Sequence, residues 1–188
     1  MKKQYSNAEV EQITRQWVEV MVVGLNLCPF AAPVVKDESL RYSISGSADP
    51  EQQVAEFLNE LELILAADEA DIATTLFVVP EGLESFDDYL DTLALFEDLL
   101  EQAGLSGVFQ LASFHPDYLF DGVPEDDMSH WTNRSPWPAF HIIREAQMSR
   151  ALQHYKNPEQ IPERNMQLLR ELGREGLIER FPPFADYC

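Results

Sequence analysis

Over residues 7–25 the apolar positions Val10, Ile13, Trp17, Val20 and Met21, with Gly24, recur three and four apart, the period of one helix face. Ser6 and Glu9 have the spacing of a capping box, which sets the start of that helix. Residues 26–33 read as a turn and residues 41–45 as a short strand. A second helix is capped by Asp49, carries Pro50 in its first turn, and buries Val54, Phe57, Leu58, Leu61 and Leu65. The β-branched run 74–79, ended by Pro80, predicts a buried strand. A third helix, capped by Ser85, buries Tyr89, Leu90, Leu93, Phe96 and Leu100 and stops at Gly104. Residues 108–114 form a third strand.

Strands alternating with helices over short links are the pattern of right-handed parallel crossovers. Ser135 and Pro136 then open a fourth helix reaching about Tyr155, a last helix spans residues 162–172, and FPPFADYC is an irregular aromatic tail. The expected architecture is one α/β domain over residues 1–188, with a small, mainly parallel three-stranded sheet and about five helices. Ligands of open parallel sheets sit beyond the carboxyl ends of the strands. That places a site near Ser45, Gly46 and Ser47, near Glu81, and near His115.

Composition agrees with a folded chain, since 45% of the 188 residues are hydrophobic. No apolar run has the length of a membrane helix, and no export segment follows Lys2 and Lys3. Cys28 and Cys188 make no disulfide framework, so the expected compartment is the cytoplasm. Charge narrows the partners: 13 Lys and Arg face 33 Asp and Glu, a net charge of −20. Between Arg41 and Arg134 there are 21 acids and no Lys or Arg. Such a surface repels nucleic acid and anionic membranes.

The candidate chemistry gathers between His115 and His141, which hold three of the four histidines and two of the three tryptophans. A loop this long is usually functional, and its aromatic content argues for an ordered one. Arg134, Asn133, Ser135 and the start of the fourth helix form an expected seat for a small anion, a carboxylate or a phosphate. His115 is the expected acid–base group, with Asp117 orienting it and His141 as a second such group. Two other readings stay open: Arg134 pairing with Asp126 or Asp127, and His141 as a core histidine on a stripe with Trp137, Met148 and Leu152. His130 and His154 read as surface residues. Cys28, before Pro29, is a candidate nucleophile or a small buried apolar residue. The His and Asp set matches no metal motif, so a divalent ion is possible and not favoured, and any cofactor stays unassigned. Beside an enzyme stand two alternatives: a non-catalytic anion sensor, and an interaction module whose aromatic tail, residues 181–187, docks on another chain.

GLNLCPFA (residues 24–31), FHPDYLF (114–120) and NRSPWPAFHIIRE (133–145) together resemble the signatures of a bacterial family of unknown function, over nearly the whole chain. The resemblance implies that Cys28, His115, Asn133, Arg134, Ser135, His141 and Arg144 belong to recurrent motifs. It brings no activity, cofactor or partner.

Overall fold

A computed structural model describes residues 5–186 of the chain. Helix α1 (Asn7–Trp17) starts at the expected capping box, with Ser6 Oγ accepting from the Glu9 amide and the Glu9 carboxylate accepting from the Ser6 amide. The helix then widens into a π-helical segment, Val18–Val23, where the Gly24 amide reaches back to the Glu19 carbonyl. After the short α2 (Ala31–Lys36) come β1 (Leu40–Ile44), α3 (Pro50–Ala66), β2 (Thr74–Val78), α4 (Phe86–Gln102) and β3 (Phe109–Phe114). Asp49 and Ser85 cap α3 and α4 as their positions predict.

The sheet differs from the expectation. It has four strands in the order β1-β2-β4-β3, where β4 is Ala139–Arg144, so it is mixed and not a mainly parallel trio. β1 and β2 pair in parallel, while β4 runs antiparallel to both β2 and β3. The three expected strands do point the same way. The crossover through α4, however, leaves a gap one strand wide, and β4 fills it.

The fourth helix expected from Ser135 is therefore overturned over its first half. Residues 139–144 are a central strand, and α5 (Glu145–Gln153) starts only where Glu, Ala and Gln, all good helix formers, take over. Phe140 and Ile142 face one layer of the core and Ala139 the other, so the segment lacks the polar alternation of a half-exposed strand. The helical stripe through His141 was a coincidence of spacing.

Helix α6 (Ile161–Arg180) outruns the expected end at Leu172. The backbone breaks at Gly173, where φ is +63°, and the helix then resumes. Among the described residues there are six α-helices, against about five expected.

Helices α3 and α4 cover one sheet face, where Phe57 stacks on Phe96 at 3.8 Å beside Phe77 and Phe140. α1, the π-helical segment and α6 cover the other, packing Trp17, Met21, Leu169 and Leu177 against Leu76 and Val78. The tail joins this second layer. Phe181 and Phe184 are buried, and Phe184 meets Trp131 edge to face at 4.9 Å. The described aromatics of the tail thus pack on their own chain; Tyr187 lies outside the described residues.

Candidate functional site

A cleft of about 1250 Å³ opens where the sheet argument places it. Its floor is the loops that follow β1 and β2, residues 45–48 and 80–84, together with Pro116 and Asp117 after β3. Pro136, Trp137 and Pro138, leading into β4, form one wall. Tyr5 and Asn7 at the start of α1 and Asp186 of the tail close the rest. Tyr5 and Trp137 meet edge to face at 5.6 Å. Glu81, Glu84, Asp117 and Asp186 bring four carboxylates to the lining, and no Lys or Arg lines it among the described residues.

The floor is held by hydrogen bonds from beneath. Gln53 on α3, 2% exposed, donates from its amide to the carbonyls of Ser47 (2.9 Å) and Glu81 (3.0 Å). Glu56, three residues on, accepts from the Ser45 hydroxyl and the Gly46 amide. The Tyr89 hydroxyl donates to the Ala139 carbonyl and accepts from the Phe114 amide, so it pins the end of β3 to the start of β4. Gly82 adopts φ +94°, and a Cβ there would lie 2.8 Å from the Ala48 carbonyl oxygen. Gly82→Ala should therefore cost about 2–3 kcal/mol in urea unfolding, from left-handed strain plus overpacking, with less than 1 kcal/mol counting against this contact.

The candidate residues are distributed unevenly around this cleft. Asp117 lines it. His115 lies below it with no exposed surface: its Nδ1 accepts from the Asp117 amide (3.0 Å), which leaves the proton on Nε2 to donate to the Leu83 carbonyl (2.9 Å). Burial lowers its pKa from the ordinary histidine range. The contact between the two residues thus runs from the Asp117 backbone amide to the imidazole. Asn133 also fastens the loop, donating to the Ser113 carbonyl while its own carbonyl accepts from the His115 amide. Ser135 caps no helix, because none starts there; its hydroxyl donates to the Trp137 carbonyl (2.6 Å).

Arg134 lies over the Trp131 ring at 5.3 Å and directs Nε toward the Tyr118 carbonyl. It does not pair with Asp127, which is taken by Arg170 of α6; that guanidinium holds the Asp127 carboxyl well below the usual range. His141 stands on β4 beside Thr74. The Thr74 hydroxyl spends its proton on the Ile142 carbonyl (2.6 Å), so His141 Nε2 is the donor in their 2.7 Å contact. Burial pushes the His141 pKa down to about 4. Arg144 does not line this cleft: it donates to the carbonyls of Ile64, Ala67 and Ile72, where α3 ends and the chain leads into β2.

His130, expected at the surface, is fully buried and bonded through both nitrogens, to the Phe120 amide and the Pro124 carbonyl. His154 is exposed as expected. Cys28 is partly buried, and burial pushes its thiol up, opposite to the lowered pKa that a nucleophile needs. Among the described residues no group of three or more His, Cys, Asp or Glu is arranged to hold a metal, and no helix is long and apolar enough to cross a membrane.

Ser45, Gly46, Ser47, Glu81 and Asp117 are expected at this edge and Trp137 lies in the stretch expected to wall the site, whereas Tyr5, Glu84 and Asp186 are not announced. Glu84 could have been found, three residues beyond Glu81 in the same loop. Tyr5 and Asp186 arrive from opposite chain ends, and no spacing announces them.

Fold and cleft together define an α/β protein with an open acidic hollow at the carboxyl edge of its parallel strands. Residues 9–179 match the family model described as Protein of unknown function (DUF1415), and the chain belongs to that family. No curated protein and no solved structure matches it. Tyr5, Asn7 and Asp186 of the cleft lie outside the matched span.

Proposed function

We propose that this protein binds a small cationic molecule, an amine or a quaternary ammonium, in the cleft at the sheet edge. One observation carries the reading: four acidic residues share the lining with Tyr5 and Trp137, and no described Lys or Arg opposes them. Carboxylates beside aromatic rings suit a cation, since the first supply charge and the second a negative ring face. A chain of net charge −20 also concentrates cations near its surface. The anion seat expected from the sequence has lost its helix start, and Arg134 is engaged with Trp131 and Tyr118.

The reading stops at binding. His115 and His130 have both ring nitrogens committed, and His141 lies against Thr74 inside the sheet layer.

Thermal unfolding at low salt tests the reading, with 1,4-diaminobutane and tetramethylammonium against succinate and phosphate. The cations should raise Tm, since a ligand at a hundred times its Kd adds about 2.7 kcal/mol. The gain should shrink toward zero as salt screens the charges, and should vanish in Glu81→Gln/Asp117→Asn. Stabilisation by succinate or phosphate alone would instead favour an anion site and overturn the cation reading.

A further inference from the structure

We infer that Gln53 and His115 act as one buried brace that positions the recognition groups of the cleft without touching its occupant. The inference rests on the cation-binding reading above. Gln53 uses both N–H groups of its amide, one on the Ser47 carbonyl and one on the Glu81 carbonyl, and so ties the loop after β1 to the loop after β2. His115 continues the tie. Its Nε2 holds the Leu83 carbonyl, two residues beyond Glu81, and its Nδ1 holds the Asp117 amide beyond β3. Three loops from three strands are thereby linked through two side chains.

The geometry leaves these side chains little freedom. Gln53 is 2% exposed and His115 is 0% exposed. The His115 ring lies 5.2 Å from Phe86 and 5.1 Å from Tyr89, which pack around it. Only the neutral tautomer protonated at Nε2 makes both of its bonds. Gly82 passes close enough to Ala48 that an added Cβ would lie 2.8 Å from the Ala48 carbonyl oxygen. Ser47, Glu81 and Asp117, which the brace holds, line the cleft, while Gln53 and His115 do not. Both are positioning residues: they fix where carboxylates and carbonyls stand before a guest arrives, which lowers the ordering cost of binding.

Three variants separate the links. Gln53→Met keeps the volume and removes both donors. His115→Asn keeps an acceptor for the Asp117 amide and loses the donor to Leu83, while His115→Gln does the reverse. Calorimetric titration of the full chain with 1,4-diaminobutane and with tetramethylammonium should show at least a ten-fold loss of affinity in each variant. Hydrogen exchange should quicken at residues 46–48 and 82–84 in Gln53→Met while unfolding stays cooperative. A variant that exchanges faster in those loops yet binds both probes like the wild type overturns the inference. Wild-type protein indifferent to both probes brings down the cleft reading and the inference with it, so the two failures appear in different proteins. If the His115 variants do not fold, Gln53→Met decides the question alone.

Discussion

Arg144→Ala is expected to lower the unfolding free energy by about 3–5 kcal/mol, the largest single effect outside the aromatic core. Its guanidinium spans the carbonyls of Ile64, Ala67 and Ile72, at 2.5, 2.9 and 3.2 Å, where α3 ends and the chain turns into β2. A helix end leaves carbonyls without partners and carries partial negative charge, so a cation with several donors is the best-matched cap. Each charge-assisted bond contributes about 1.5–3 kcal/mol, and the half-buried setting lets water recover part of the loss. The guanidinium also lies 5.7 Å from the Phe109 ring, which ties the cap to β3. Arg144→Lys should recover less than half, because one ammonium cannot span three acceptors. Urea unfolding of the three proteins checks this, and a loss under about 1 kcal/mol for alanine refutes it.

The second large effect is a dependence of stability on pH through His141. Its pKa is about 4 in the folded chain, lowered by burial, against about 6.5 when unfolded. Between those values the unfolded chain takes up a proton that the folded chain refuses. Stability from this group is full above pH 6.5, declines as pH falls, and is exhausted near pH 4; the total is up to about 3 kcal/mol. His115, lowered for the same reason, adds in the same direction. His141→Gln keeps a donor for Thr74 and has no such titration. The difference in unfolding free energy between wild type and variant should therefore widen with pH from about 4.5 to 7. Parallel curves for the two proteins would rule the assignment out, and carboxylates common to both cancel in the comparison.

Much of this architecture was legible, and the reasons are local. Asp49 and Ser85 announce α3 and α4 because capping uses residues adjacent in sequence. The run 74–79 announces β2 because its β-branched residues are buried on both faces, as the observed Thr74–Val78 confirms. The carboxyl edge followed from strand direction alone. β4 was missed because its partners, β2 and β3, are distant in sequence, and because Ser135 and Pro136 imitate a helix start. The expected anion seat depends on that helix start, which the fold lacks. His130 was misjudged for a related reason: its partners, Phe120 and Pro124, lie in an irregular loop whose path no period encodes. Of the expected site residues, Asp117 reached the cleft lining, while His115, Asn133 and Ser135 became the loop's fasteners.

The late arrival of β4 bears on how the chain is made. On a ribosome working from the N-terminus, β1 and β2 can meet as soon as residue 78 has emerged, but β3 has no neighbour until residues 139–144 follow. For that interval the free borders of β2 and β3 are unpaired templates beside Phe109 and Phe114. The many acids translated in the same interval repel other nascent copies and so guard those borders until the central strand slots in.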